Sequence, residues 1–342
     1  MNALGRIPAA LVWSGGMSET LRGLWLEVRV IPVLLWSFSA LTLGTALAAR
    51  GRDLEVWFYL GAVALGVLIQ GLLAHSVNEV EDWRSGTDRH TSARMISGGS
   101  KVIVAGLLSP RALWWVFAGA FGATTVIGLS LVAAGGLDLL PFGLVGVAGA
   151  ILYTLPPVRA AYRPFLGEAI AFTCLVVCVC GAHLLQGPSI DFVTVAAAVA
   201  VAAYAVSMLM VHHYLDREAD AAADPPKRTS IVYLGLVRGR QYAIGWCLLA
   251  LAAAVAGSAV QPRLLPLVVG YTIGLFAHLR CRPDDVASVT ANETVIIFAG
   301  ITAALAAAAL LEPPLALTLV VAAALIAFEM RMAVAPAHTP AA

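Results

Sequence analysis

Charge is scarce in this chain. Of 342 residues only 12% are Asp, Glu, Lys or Arg, 60% are hydrophobic, and the mean hydropathy is +0.88. A soluble domain carries about 25% charged residues, so a water-soluble globule is excluded. An excess of either sign is also missing. Twenty-one basic against twenty acidic residues leave a net charge of +1, so the protein is not basic overall and nothing suggests nucleic acid as a partner. Cysteine is rare: Cys174, Cys178, Cys180, Cys247 and Cys281. Their spacing matches neither a zinc site nor a secreted disulfide framework, and four of them lie in apolar runs, where cysteine behaves as a small hydrophobe. The apolar runs lack the alternation of a membrane β-barrel. The short run IPAALVW (7–13) is too brief and too poorly flanked for a signal peptide.

What is present is long stretches free of charge. A span needs about 20 mainly apolar residues to cross the hydrocarbon. Segments without Asp, Glu, Lys or Arg cover 30–49, 56–78, 112–137, 139–158, 169–190, 192–215, 241–262, 264–279, 294–311 and 313–328. Backbone groups in lipid must be satisfied within the segment, so these are helices. The expected fold is all-α, a polytopic bundle of nine to ten transmembrane helices. Three of these segments (264–279, 294–311 and 313–328) are short. Residues 1–24 read as a cytoplasmic lead-in, 25–335 as one membrane domain and 336–342 as a tail. With the N-terminus inside, 18 Lys and Arg residues fall on the inner side against three (Arg50, Arg52 and Arg263) on the outer. That bias places the protein in the inner or cell membrane, with both of its long loops, about 79–111 and 216–240, in the cytoplasm.

Those loops hold the acids. Eight of the twenty Asp and Glu residues fall in two windows: Glu79, Glu81, Asp82 and Asp88, then Asp216, Glu218, Asp220 and Asp224. Asn78 and Asp82 are four residues apart, as are Asp216 and Asp220, so each pair shares a helix face. Like charges on one face repel, and two such faces together require a cation between them. Carboxylate and amide oxygens suit a hard cation, and Mg²⁺ is commonly held by one or two carboxylates plus substrate phosphates. Lys and Arg residues follow each acid window, as a diphosphate requires. A weak echo, KVIVAGLLSPR (101–111) and SIVYLGLVRGR (230–240), follows the two windows and suggests two related halves.

With NEVEDWRSGTD (78–88), DREAD (216–220), SGGSKVIVAGLLSP (97–110), YTLPP, YRPFLGEA and KRT (227–229) in place, the chain resembles the UbiA superfamily of intramembrane prenyltransferases. It is most similar to the menaquinone-pathway branch, which prenylates dihydroxynaphthoate. The resemblance runs from about residue 24 to 312. It implies a helical bundle with a central cavity open to the cytoplasmic side and an isoprenyl diphosphate bound through Mg²⁺. It implies Asn78, Asp82, Asp88, Asp216 and Asp220 as metal ligands. Arg29, Arg94, Lys101, Arg163, Lys227 and Arg228 are implied as substrate-binding residues, and Asp82, Asp216 and Tyr153 as catalytic. The sequence departs from the family pattern at Glu79, where Asp is usual, at Gly86, and at HHYLD (212–216), which replaces Asn-Asn-x-Arg-Asp. His212, one turn before Asp216, is placed to hydrogen-bond that carboxylate, to ligate a metal or to act as a base. Trp36, Phe38, Trp114, Trp115, Tyr153 and Tyr204 are aromatic candidates for stabilising a carbocation.

The reading that follows is an Mg²⁺-dependent transferase moving a prenyl group from an isoprenyl diphosphate to an aromatic acceptor, within the lipid bilayer. Two alternatives stand beside it. One is a terpene cyclase of the same superfamily acting on the diphosphate alone. The other is a transporter, whose acids would sit in mid-span, where the charge-free segments place none.

Overall fold

A computed structural model describes residues 18–91, 98–187 and 189–332. Ten helices among them are long and apolar enough to cross a membrane: α1 (Glu19–Ala49), α2 (Val56–Ser85), α3 (Pro110–Gly135), α4 (Leu137–Thr154), α5 (Leu166–Gln186), α6 (Phe192–His212), α7 (Ser230–Val260), α8 (Pro262–Arg280), α9 (Val286–Leu311) and α10 (Pro313–Met332). No strand occurs among the described residues. Each charge-free segment corresponds to one helix, but four of the helices run well beyond it at one end. α1 begins at Glu19, α2 continues through Ser85, α7 starts at Ser230 and α9 at Val286. The second long loop is therefore only about 213–229, and the apparently short ninth segment is a full span.

Local chemistry sets the helix starts. Ser18, Ser109, Asp191, Thr229 and Asp285 accept backbone N–H groups in the first turns of α1, α3, α6, α7 and α9, groups that otherwise lack a partner. Pro110 follows Ser109 at the first helical position of α3, where its missing N–H costs nothing. The sequence echo is visible in the backbone. Gly106 and Gly235 hold the same place in the two stretches and have φ of +72° and +74°, a conformation that glycine adopts freely. In the first stretch the chain stays in turns until α3, whereas in the second it forms a kinked start to α7.

α1 and α6 are mostly buried, while α3 and α4 are mostly exposed. α6 packs against α5 and α7, α8 against α7 and α9, and α1 against α5 and α9. α2 packs on α3 and α4, yet α3 and α4 scarcely touch each other. The space left among α1 to α6 is a cavity. π-helical stretches widen its walls at Leu34–Phe38 of α1 and Val67–Ala74 of α2. Gln70 Oε1 in the second accepts the Ser37 N–H of the first at 3.1 Å, so a donor freed by the wide turn stays satisfied.

α1 and α5 approach closely at Gly44, where an added Cβ would stand 2.2 Å from the Val179 carbonyl oxygen. Small residues allow such approach in membrane bundles. Gly44→Val is expected to separate the two helices and destabilise the protein by about 1–3 kcal/mol, read as a lower unfolding temperature in detergent. An unchanged melting curve would contradict this packing.

Candidate functional site

The cavity, of about 610 Å³, reaches from apolar walls at one end of the bundle to the acid loops at the other. Leu41, Val132, Leu139, Phe142 and Leu185 line the apolar end. At the polar end it is lined by Asn78, Asp82 and Asp88 from α2 and the turn after it, by Asp216 and Asp220 from the segment after α6, and by Lys227. The five predicted metal ligands thus share one space. Of the eight clustered acids, only four aspartates face it. Glu79 and Glu81 are turned to other partners, and Glu218 and Asp224 are exposed.

The two motifs meet through Lys227. Its Nζ donates to Asp82 Oδ1 and Oδ2 at 3.0 and 2.9 Å and lies 4.0 Å from Asp220 Oδ1. Burial opposes a charge on Lys227, but the Asp82 and Asp220 carboxylates outweigh it and hold the ammonium well above the usual lysine range. Tyr162 Oη donates to Asp82 Oδ1 at 3.3 Å, and burial, then Asp82, push its phenol up, so it remains a donor. A backbone bond joins the two loops, with Asp224 N–H donating to Ser85 O at 2.9 Å.

Glu79, where the family has Asp, does not face the cavity. Its carboxylate accepts from Ser100 Oγ at 2.7 Å and from the Lys101 and Ile103 N–H groups at 3.3 and 3.4 Å. Ser100 Oγ also lies 2.8 Å from Glu27 Oε2. The longer side chain therefore hangs the following loop on α2. Glu81 pairs with Arg159 at 2.7 Å and Arg84 at 3.0 Å.

Of the predicted basic residues, Arg29 and Lys227 line the cavity. Arg29 caps the first segment of α1 in the left-handed conformation, φ 52°. Lys101, also left-handed at φ 57°, is buried behind the cavity wall and donates to Asp88 and Thr91. It acts on the site through Asp88. Burial, with Glu79 and Asp82 beside it, pushes the Asp88 carboxyl up to about 7 despite Lys101. Arg163 and Arg228 do not join. Both are exposed, and Arg163 donates to the Pro157 carbonyl at 3.2 Å. The turn at 155–165 sends Arg159 inward, to Glu81, and Arg163 outward. Arg94 lies outside the described residues. Tyr153 and Trp36 line the cavity. Tyr204 is packed elsewhere, bonded to the Ile296 carbonyl and stacked on Tyr271. Phe38 is a core residue and Trp115 is exposed.

Several residues escaped the sequence reading. Tyr162 is one. Glu293 is another: it lies inside α9, 2% exposed, with Oε1 3.4 Å from His212 Nδ1. Acids therefore do occur within the spanning helices, Glu27 and Glu293 among them, and both of these face polar partners. The only sequence signal for Glu293 was an isolated acid at the edge of an apolar run.

Whether a metal fits is decided by the oxygens. Both carboxylate oxygens of Asp220, and Asp88 Oδ2, are buried without a hydrogen-bond partner. Buried carboxylates in that condition are costly unless paired or metal-bound. Among the described residues no three acids, histidines or cysteines are close enough to enclose an ion. The open oxygens of Asp220 and Asp88 are hard donors of the kind Mg²⁺ takes.

Comparison with known proteins follows the same lines. The profile of the UbiA prenyltransferase family matches residues 34–289. The 1,4-dihydroxy-2-naphthoate octaprenyltransferase of Mycobacterium tuberculosis is 28% identical over 227 residues, 62% of this chain and 75% of that protein. The Bacillus subtilis enzyme of the same name is 28% identical over 139 residues, 41% of this chain and 43% of its own. A UbiA homolog from Archaeoglobus fulgidus solved with GPP and Mg²⁺ has a TM-score of 0.64 at 14% identity, covering 85% of this chain and 100% of that one. The same homolog bound to DMAPP and Mg²⁺ gives 0.61. At that identity the likeness establishes the fold.

Lys227 tests the acid cluster directly. Lys227→Met leaves Asp82 and Asp220 buried without their counter-charge and should cost about 3 kcal/mol. Adding Asp82→Asn should recover part of that. Thermal unfolding of the single and double variants in detergent measures it, and additive losses would show that the pair is not coupled.

Proposed function

This chain belongs to the UbiA prenyltransferase family, and we propose that within it the protein transfers a prenyl group from an isoprenyl diphosphate to an aromatic acceptor of the dihydroxynaphthoate kind, using Mg²⁺. The observation that supports this most is the convergence of two acid motifs and Lys227 at one end of an otherwise apolar cavity. The relatives' names point to a naphthoate acceptor.

Asn78, Asp82, Asp88, Asp216 and Asp220 would hold Mg²⁺, which when bound neutralises the diphosphate and eases its departure. Lys227 and Arg29 line the cavity and would meet the leaving diphosphate oxygens. Lys101 steadies Asp88, and Tyr162 steadies Asp82. The apolar walls take the prenyl tail and keep water from the reacting carbon, while Trp36 and Tyr153 offer ring faces to positive charge developing there. The acceptor ring supplies the electrons for the new carbon–carbon bond. The acid loops lie on the cytoplasmic side in this reading, from the distribution of basic residues.

Purified protein given geranyl diphosphate, 1,4-dihydroxy-2-naphthoate and Mg²⁺ is expected to form a prenylated naphthalene by mass spectrometry. EDTA should stop turnover and Mg²⁺ restore it. Asp82→Ala and Asp216→Ala should each lower the rate by about a thousandfold while the protein still inserts. Full activity in EDTA would remove the metal, and a cyclic terpene formed without acceptor would replace transfer by cyclisation.

A single cysteine at Ala222, in a background lacking the native five, should react with an impermeant maleimide only from the cytoplasmic face. One at Gly51 should react only from the other. The reverse pattern would invert the assigned orientation.

A further inference from the structure

Along α2 the cavity is lined by residues four apart: Gln70, Ala74, Asn78 and Asp82. Asn78 and Asp82 belong to the acid end. Gln70 lies eight residues before Asn78, no more than about 12 Å deeper along the helix. It is a polar side chain where the surrounding wall is mostly apolar. Its Oε1 accepts the Ser37 N–H at 3.1 Å. A backbone N–H needs an acceptor, so the amide oxygen is fixed in place and the Nε2 donors are left for another partner. Among the described residues they have none.

Thr124 of α3 stands at the same depth. Leu73 of α2 and Ala120 of α3 share one buried cluster, and a Cβ on Gly61 would meet the Leu131 side chain at 2.9 Å. Between those two pairings Gln70 comes level with Thr124, which also lines the cavity. The hydroxyl of Thr124 differs from its neighbours. Thr125 and Ser130 each donate to the carbonyl four residues back at 2.8 Å, whereas Thr124 Oγ1 is buried without a partner. Thr45 and Thr154 share that condition, but of the three only Thr124 lines the cavity. Such a hydroxyl is costly, and valine would fill the same space without the cost. Ser37 Oγ, on the opposite wall, reaches the Val33 carbonyl only across 3.5 Å. Ser37, Gln70 and Thr124 thus form an uncharged polar belt between the acids and the apolar end.

Resting on the transferase reading above, we propose that Gln70 and Thr124 bind a neutral ring hydroxyl of the aromatic acceptor and so determine which acceptor is taken. The belt offers amide donors and a hydroxyl that can donate or accept, so its ligand must carry an oxygen. The prenyl tail carries none. The belt has no charged side chain, so the oxygen it takes is neutral. A carboxylate on the acceptor belongs instead toward Arg29 and Lys227, at the acid end. An aromatic hydroxyl accepts from Gln70 Nε2 and donates to Thr124 Oγ1 at once. An acceptor with a carboxylate on one side and a hydroxyl across the ring is thereby held in one orientation, its ring between the acids and the belt. An analogue lacking that hydroxyl leaves the belt unpaired and is rejected on that account.

Thr124→Val removes the hydroxyl and keeps the shape. It is expected to raise KM for 1,4-dihydroxy-2-naphthoate about tenfold. KM for geranyl diphosphate should stay at the wild-type value, and the unfolding temperature in detergent should not fall. Thr124→Ser should keep the wild-type acceptor KM. Gln70→Met should raise the acceptor KM to a similar degree, with some loss of stability from the freed Ser37 N–H. As an inhibitor, 1-hydroxy-2-naphthoate, which lacks the hydroxyl across the ring, should bind the wild type and Thr124→Val equally well. A wild-type acceptor KM in both Thr124→Val and Gln70→Met overturns the proposal and leaves the belt as a place for water. An equal rise in KM for geranyl diphosphate overturns it too, as does a Thr124→Val protein that binds 1-hydroxy-2-naphthoate as poorly as it binds the dihydroxy compound relative to wild type. Failure of the transferase reading is distinct, because the wild-type protein itself would then form no prenylated naphthalene.

Discussion

The polar end of this bundle depends on holding several carboxylates together where water is scarce. Four buried aspartates share one space, and like charges there repel strongly because the surroundings screen them little. The ammonium of Lys227, between Asp82 and Asp220, makes the cluster tolerable. Asp88 has its own cation in Lys101. The unpartnered oxygens of Asp220 and Asp88 mark where that compensation is incomplete. A site built this way is preset for positive charge.

The scaffold bears this cost through strained backbone. Arg29, Lys101 and Arg159 are left-handed residues without being glycine, each costing of order 1–3 kcal/mol. All three aim a cation at the site or at the acids beside it. Surrounding contacts over-determine them: Lys101 is held by Asp88 and Thr91, and Arg159 by Glu81.

Much of the fold was legible in the sequence, because a lipid environment penalises charge and each charge-free run became one helix. The helix ends were not. A run stops at its first acid or base, whereas a helix stops where its backbone finds another partner. Glu27, Glu79 and Glu293 are helical despite their charge, since each is buried against polar partners rather than facing lipid. In the site, spacing four apart pointed to Asn78, Asp82, Asp216 and Asp220, the resemblance added Asp88, and all five line one cavity. Spacing says nothing about the direction of a long side chain in a loop, so Arg163 and Arg228 were grouped with Lys227 although they point away. Tyr162 and Glu293 were invisible for a different reason. Their role comes from partners 80 and 81 residues away, Asp82 and His212, and no local pattern carries that information.

One modest bond has a wider consequence. Asp224 N–H donates to the Ser85 carbonyl, stitching together by backbone alone two loops separated by more than a hundred residues. Because the bond uses no side chain, almost any sequence can satisfy it, but only if both loops keep their length and path. The two halves of the site are thus free to vary in composition and constrained in shape. Inherited apart, as in a chimera of two relatives with loops of different length, they would not fit together.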